Sequence, residues 1–205
     1  MKKKVKKVLL FTLALIFVTV GPAFSALVYE YSNTYSGAAP SGPPPWMSAT
    51  FAGTGSDTVT LTLKGISLAS TEFVSAFLFN YIGSDPITIA FANPWQGAST
   101  SYSPNAYSAG GAGGFDIRIS FPTSAQLNRF NNSDTAVLTI TGTNDPSLFY
   151  ATNAGRGKTG IYTGAHVQGI ARGRSGWATV PIPPTVWLLG AGLLGIVGIR
   201  RGFMK

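Results

Sequence analysis

The sequence predicts an all-β protein whose middle part folds as an antiparallel β-sandwich of the jelly-roll or lectin type. Short runs rich in Thr, Val, Ile and Phe recur along the chain, and Gly, Pro, Asn and Asp separate them. Apolar and polar residues alternate within these runs, which places one face of each strand in a core and the other in water. With 12% aromatic and 11% charged residues, the chain is far from the composition of a disordered protein.

Several runs predict strands with one buried face. In residues 58–63 the alternation directs Val59, Leu61 and Leu63 toward the core. Polar turn-formers flank this run, as expected for connections between antiparallel strands. The other runs with the same alternation are residues 87–91, 115–121 and 135–141.

Two of the predicted strands carry more specific expectations. In residues 115–121, the polar positions Asp116, Arg118 and Ser120 are expected to face water. Residues 73–82 are apolar on both faces, which indicates a central strand covered on both sides. A short buried helix is the alternative for such a run.

Two stretches lack a periodic pattern. Residues 36–45, rich in Pro, Gly and Ser, predict a surface loop or flexible spacer. Residues 95–114, rich in Gly, Ser, Ala and Tyr, predict a long loop, which in a compact domain is either mobile or functional. Its aromatic residues Trp95, Tyr102 and Tyr107 are candidate glycan contacts, because flat rings pack on the C–H groups of sugars. Packing onto the sandwich is the commoner use of such rings.

The sequence predicts no catalytic site, no cofactor and no metal site. His166 is the only histidine and the chain has no cysteine, whereas a catalytic zinc needs about three protein ligands. A Ser–His–Asp site would have to use His166, and no Gly-x-Ser-x-Gly elbow is present. Residues 165–170, continued by 175–177, instead predict a last strand that closes the sandwich.

The positive net charge belongs to the ends of the chain. Of fifteen Lys and Arg residues, eight lie in the first seven or the last six positions, and all seven acids lie between them. The middle part is therefore near neutral, which removes the main support for nucleic-acid binding. A mild basic cluster over residues 156–174 could contact an acidic exopolysaccharide or be a solvated loop region.

The N-terminus has the three parts of a secretion signal. A lysine-rich start precedes the apolar run 8–20, which is too short to span a bilayer of about 30 Å. Ala23 and Ser25 supply the small side chains that signal peptidase requires, so cleavage is predicted between Ser25 and Ala26. An uncleaved N-terminal anchor is the alternative.

The C-terminus is the most specific part of the sequence. Residues 180–183 read Val180, Pro181, Ile182 and Pro183, and such closely spaced prolines hold a chain extended. An apolar segment, 185–199, follows and predicts a short transmembrane helix, with Trp187 at the interface and Gly190 and Gly195 suited to close helix contacts. Arg200 and Arg201 then place the far end in the cytoplasm by the positive-inside rule.

This tail resembles the PEP-CTERM sorting signal of Gram-negative bacteria, the substrate tag of exosortases. Val180, Pro181 and Pro183 match the family's Val-Pro-Glu-Pro motif, and Ile182 stands at the Glu position. The resemblance implies partners along an export route, namely the Sec translocon, signal peptidase, the inner membrane in passing, and an exosortase. It also implies delivery to the cell surface or to an exopolysaccharide-rich biofilm matrix.

The expected organisation is therefore a signal peptide (1–25), a β-sandwich passenger (26–179) and a sorting signal (180–205). The first functional hypothesis is a non-enzymatic structural protein of the cell surface or extracellular matrix. The alternative is a secreted carbohydrate-binding module, or a weak glycan-active enzyme, that uses residues 95–114.

Overall fold

The computed structural model describes residues 26–55, 57–124, 128–155 and 157–181. These residues form eleven strands. The strands are β1 (Leu27–Tyr31), β2 (Asn33–Gly37), β3 (Met47–Gly53), β4 (Thr58–Gly65), β5 (Phe73–Phe79), β6 (Thr88–Phe91), β7 (Ser99–Ala109), β8 (Ala112–Ser120), β9 (Thr135–Thr141), β10 (Thr163–Ile170) and β11 (Arg174–Thr179). The helical segments of this part of the chain are two 3₁₀ turns, Pro146–Phe149 and Ala171–Gly173.

The strands form two antiparallel sheets that pack as a sandwich. The five-stranded sheet has the order β1-β3-β4-β9-β6, and the six-stranded sheet has the order β2-β11-β10-β5-β8-β7. Strand β5 is central in the six-stranded sheet, between β10 and β8. This position explains why all seven of its residues are buried.

The main core lies between the sheets and is rich in aromatic rings. Phe77 lies near its middle, and its ring centroid is 5.6 Å from those of Tyr31 and Phe130. Phe51 and Phe149 stack with centroids 4.5 Å apart. Edge-to-face and offset contacts of this kind add to the free energy gained by burying the rings. The core residues come from both sheets, so neither sheet is expected to be stable without the other.

Most of the predicted strands are confirmed. Val59, Leu61 and Leu63 on β4 are fully buried, and β9 occupies the predicted run 135–141. The apolar run 73–82 contains the strand β5, so its strand interpretation is confirmed over residues 73–79 and the helix alternative is wrong. The sandwich class predicted from the sequence is confirmed at the level of two antiparallel sheets.

The predicted long loop over residues 95–114 is wrong. Most of this stretch belongs to β7 and to the beginning of β8, which pair as a hairpin through Gly110 and Gly111. Both glycines have positive φ, of 54° and 91°, as a tight turn requires. The strand escapes sequence analysis because β7 is an edge strand with ten of its eleven residues at least partly exposed, so it carries no apolar periodicity.

The prediction that Asp116 faces water is also wrong, because this residue is buried. Its Oδ2 accepts a hydrogen bond from the backbone N–H of Tyr81 (2.8 Å), and its Oδ1 accepts one from the N–H of Asn105 (2.7 Å). Arg118 is exposed as predicted, and Ser120 is half-buried. The carboxylate of Asp116 is therefore a structural acceptor for two backbone groups outside the strand ladder.

Two further expectations change in detail. The predicted last strand is a hairpin of two strands, β10 and β11, and both lie inside the six-stranded sheet. Part of the predicted spacer 36–45 belongs to β2, and the rest is tied down: Glu72 Oε1 accepts from the N–H of Ser41 (2.8 Å), and Trp46 Nε1 donates to the carbonyl of Gly42 (2.7 Å).

Candidate functional site

The outer face of the six-stranded sheet carries a second, smaller apolar cluster. Register shifts in β7 on either side of Tyr107 bend the β7–β8 hairpin, as bulges do. Nearby, the carboxamide of Asn153 bonds to the carbonyls of Gly113 and Lys158 and to the N–H of Ile161. The members of the cluster are Leu78, Ala109, Ala112 and Phe115, surrounded by Tyr35, Tyr107, Ile161 and Trp177.

A depression of about 350 Å³ adjoins this cluster on the same face. It lies over the central strands of the sheet, β5, β8, β10 and β11, rather than between loops. Its lining residues are Ser75, Ala76, Leu78, Ser108, Arg118, Ser120, Phe121, Thr123, His166, Gln168 and Trp177. The volume is in the range of small-molecule sites, and we call this feature the outer-face depression.

The register of the sheet explains why the surface is low at this point. Along one row across the strands, Trp177 pairs with His166, His166 pairs with Ala76, and Ala76 pairs with Ser120. Ala76 is the smallest member of this row and lies between His166 and Ser120. Because a methyl group reaches less far from the sheet than an imidazole or an indole, Ala76 forms the floor, and His166 and Trp177 form a wall on one side of it.

A bulge in β5 brings a hydroxyl into this site. His166 pairs with Ala76 while Val167 pairs with Val74, so Ser75 is the extra residue. A bulge re-aims a side chain, and here the Oγ of Ser75 lies 2.8 Å from Nδ1 of His166. Without the bulge, Ser75 would follow strict alternation and point to the opposite face from Ala76.

Two polar side chains surround Nδ1 of His166. The amide nitrogen Nε2 of Gln168 donates to Ser75 Oγ (3.2 Å) and lies 3.4 Å from His166 Nδ1. Ser75 Oγ also lies within 3.4 Å of the carbonyl oxygen of His166, so its proton has two acceptors within reach, that carbonyl and Nδ1. Ser75 and Gln168 therefore hold the imidazole in place from the Nδ1 side.

Burial and a nearby cation favour the neutral form of His166. Desolvation is the larger cause and the positive charge of Arg118 is the second, and both lower the pKa of His166 below its ordinary value of 6.5. The imidazole also stacks on the indole of Trp177, with centroids 4.6 Å apart and planes 19° from parallel. The pair forms a flat aromatic wall of the outer-face depression.

The Ser75–His166 pair lacks the further parts of a nucleophilic site. In a catalytic triad the serine meets one ring nitrogen of the histidine and a carboxylate meets the other, whereas here Ser75 and the amide of Gln168 both lie at Nδ1. Ser75 is only 8% exposed, and its hydroxyl is already engaged by His166 and Gln168. The geometry therefore suits ligand binding better than attack on a substrate.

Arg118 is the one charged side chain among the lining residues that the structure describes. It is exposed, and its Nε donates to the Oγ of Ser120 at 3.0 Å. This bond uses one of five N–H donors and fixes the direction of the planar guanidinium. An oriented arginine beside an aromatic wall can bind a carboxylate, a phosphate or a sulfate.

The structure places the three predicted glycan contacts in different surroundings. Trp95 is half-buried, donates from Nε1 to the carbonyl of Asn128 (2.6 Å), and packs on Phe121 with centroids 5.3 Å apart. Tyr102 packs against the main core and meets Tyr81 edge to face. Tyr107 belongs to the second cluster on the outer face. These rings do not share one exposed surface.

The predicted processing residues fall mostly outside the described part of the chain. This holds for Ala23 and Ser25 of the cleavage site and for Ile182, Pro183, Trp187, Gly190, Gly195, Arg200 and Arg201 of the tail, as it does for the predicted signal and transmembrane helices. Ala26 and Pro181 are exposed, whereas Val180 is 8% exposed and packs in the main core. Within the described residues, no helix is long and apolar enough to cross a bilayer.

The described basic residues of the predicted cluster 156–174 lie on the segments before and after β10. Lys158 precedes β10 and donates from Nζ to the carbonyl of Tyr35, whereas Arg172 and Arg174 follow the other end of β10. Within the described residues, no group of three or more His, Asp or Glu side chains is arranged to hold a metal ion.

Comparisons with known proteins show no family for this chain. No family model matches the chain, and no curated protein matches it. One solved structure is similar, a biomass-sensing module from putative RsgI-like proteins of Clostridium thermocellum, described as resembling a family 3 carbohydrate-binding module of the cellulosome. The match has 12% identity and a TM-score of 0.33, and it covers 78% of this chain and 99% of that one. At this level the likeness supports no argument about fold or function.

The outer-face depression was missed by sequence analysis, although His166, Trp177 and Arg118 were each visible. Polar residues at alternating positions of 115–121 and 165–170 indicate a wet face but do not show which strands lie side by side. Strands β5 and β10 are neighbours although 83 residues separate their ends. The bulge at Ser75 lies inside an apolar run, and one polar residue in such a run does not by itself predict a bulge.

Proposed function

We propose that this chain is an exported structural protein of the cell surface or extracellular matrix of a Gram-negative bacterium, without catalytic activity. The observation that carries the proposal is the three-part tail, with its Pro motif at 180–183, apolar segment at 185–199 and paired arginines at 200–201. The three parts stand in the order of the PEP-CTERM tag and follow directly after the last strand of the sandwich.

The proposed route begins at the Sec translocon. Signal peptidase removes residues 1–25, and the apolar segment 185–199 then holds the protein in the inner membrane for a time. An exosortase acts near the motif 180–183 and passes the passenger to the outside. The passenger then stays in the exopolysaccharide-rich matrix as a folded module.

The fold supports a structural role in two ways. One continuous core joins both sheets, from Tyr29 near the start of the described chain to Val180 near its end. This core needs no disulfide, since the chain has no cysteine. Within the sandwich class, the jelly-roll or lectin-like type remains part of the proposal.

The alternative, glycan binding by a loop at 95–114, loses its structural basis. That stretch is largely strand, and its three aromatic residues pack in separate surroundings. The match to the biomass-sensing module is too distant to restore it. Ligand binding by this protein has to be argued from another surface.

The test is the intact mass of the protein recovered from outside its native host. The proposal predicts a species that begins at Ala26 and ends near the motif 180–183, together with any group attached there. A species that retains Arg200 to Lys205 would overturn the sorting proposal and leave a protein anchored in the inner membrane. A species that retains residues 1–25 would overturn the cleaved signal peptide.

A further inference from the structure

The outer-face depression has a chemistry that a purely structural role does not use. We propose that it binds an anionic saccharide, with Arg118 on the carboxylate of a uronic acid unit and the sugar ring against the His166–Trp177 wall. The proposal concerns the folded passenger and does not depend on how the protein is sorted.

The charge of the site selects the anionic group. Arg118 is the charged residue among the described lining residues, and none of them is acidic. Its Nε is held by Ser120, so the Nη edge of the guanidinium is oriented before a ligand arrives. Arginine binds carboxylates with two parallel N–H···O bonds, which a neutral sugar does not offer.

The aromatic wall selects a ring rather than a small inorganic ion. Trp177 covers one face of the His166 imidazole, so the opposite face is turned toward the floor at Ala76. The C–H face of a pyranose can pack on such a surface, as sugars pack on aromatic side chains. A free phosphate or sulfate would use Arg118 but gain nothing from this wall.

The remaining lining supplies hydrogen-bond partners for hydroxyls. The Nε2 atom of His166 can donate or accept according to the tautomer, and Gln168 offers a carboxamide at the same wall. Ser108, Ser120 and Thr123 add hydroxyls that can donate or accept. A mixture of one oriented cation, a flat wall and several small polar groups matches the surface of an acidic sugar.

The site is preorganised because it lies on strands. Ala76 and Arg118 belong to the two neighbouring strands β5 and β8, and His166 and Trp177 belong to β10 and β11. Side chains on central strands lose little further freedom when a ligand binds, which lowers the entropic cost. Nucleic acid is a poor fit, since it requires several phosphate contacts and the depression has one cation.

The experiment uses the full-length chain in a non-glycosidic detergent and isothermal titration with trigalacturonic acid. The matched ligand is its trimethyl ester, which has the same rings without the negative charges. The matched variants are R118Q and K64Q, each of which removes one exposed positive charge. Lys64 lies on β4 in the other sheet, so K64Q controls for net charge. Thermal melts check that each variant is folded.

We expect R118Q and the ester each to weaken binding by about ten-fold or more, as loss of a charge-assisted bond predicts. K64Q should change affinity by less than about two-fold, since its charge lies on the opposite sheet. A76L, which fills the floor without changing charge, should abolish binding. No binding of the acid, equal binding of acid and ester, equal loss in R118Q and K64Q, or full binding by A76L would each overturn the proposal. None of these outcomes bears on the intact-mass test of sorting.

Discussion

His166 and Trp177 face each other across the β10–β11 hairpin, with ring centroids 4.6 Å apart and planes inclined by 19°. The contact joins a strand near the middle of the six-stranded sheet to its neighbour near the edge. It also holds the indole where a Cβ on Gly164 would lie 3.4 Å from it, so the ring rests closely on the backbone of β10. One aromatic pair thus helps to stabilise the hairpin and forms a wall of the outer-face depression.

Removing this wall should destabilise the protein. We expect W177A to lower the free energy of unfolding by about 2 kcal/mol, because it removes the packing contacts of a half-buried indole. W177F should cost about 1 kcal/mol or less, since a smaller ring can still stack on His166. Urea unfolding at pH 7.5 measures both values. Equal losses in the two variants would show that the stacked contact contributes nothing.

Stability should depend on the protonation of His166. The folded-state pKa lies below the unfolded value of 6.5, so His166 favours the folded state above that pH. This contribution is lost as the pH falls from 6.5 through the lower folded value. Urea unfolding of the protein and of H166F at pH 7.5 and at pH 5 separates the effect of His166 from that of the carboxylates. The dependence in this window should be smaller in H166F.

The same titration can be observed directly, since the chain has a single histidine. The imidazole protons should titrate in NMR spectra with a midpoint below 6.5. R118Q should raise this midpoint, because the positive charge of Arg118 is one of the two causes that lower the pKa of His166. K64Q should leave it in place. A midpoint at or above 6.5 in the unchanged protein would contradict the assigned environment.

Asp116 should be important for folding although it is polar. D116A leaves the N–H groups of Tyr81 and Asn105 without their acceptor, and we expect a loss of about 2 kcal/mol or more. D57A removes a carboxylate from an exposed turn and should change stability by less than about 0.5 kcal/mol. Chemical denaturation of both variants is the measurement. Similar values for the two would mean that the buried carboxylate is dispensable.

Gly169 should be intolerant of any side chain. Its φ is 73°, and a Cβ there would overlap the carbonyl of Thr71, so G169A combines strain with a steric clash. We expect a loss of about 3 kcal/mol. Gly173 has φ of 72° with open space around it, so G173A isolates the strain and should cost about 1 kcal/mol. Thermal unfolding of the pair tests whether the clash adds to the strain.

Processing near the sorting motif should leave Val180 on the passenger. Val180 is buried in the main core, whereas Pro181 is exposed, so the chain becomes accessible to a protease only beyond Val180. We expect the intact mass of the exported protein to include Val180. A C-terminus on the N-terminal side of Val180 would mean that the end of β11 opens before cleavage.

The runs that predicted strands correctly share one property. In residues 58–63 and 135–141, one face is buried and the other is at least partly exposed. The alternation of apolar and polar residues in the sequence therefore predicts which positions are buried. β7 shows no such alternation of apolar and polar residues. It is an edge strand with exposed residues on both faces, and its backbone pairing to β8 stabilises it. Pairing through backbone groups leaves little mark on the choice of side chains. The prediction for Asp116 was wrong for a related reason. The N–H groups that donate to its carboxylate belong to Tyr81 and Asn105, which lie outside its own strand.

By itself, the sequence determined the all-β class, several core-facing positions and the near-neutral middle, because these depend on local alternation and composition. It also carries the whole case for the proposed export, since the proposed signal and sorting tail are linear patterns in the sequence. Only the tertiary structure decided the order of strands, the bulge at Ser75 and the outer-face depression. Strands that lie side by side in the sheet, such as β5 and β10, are far apart in the chain. Their pairing is selected by packing and hydrogen bonding over the whole sandwich, so a site built across them exists only once the sheet has formed.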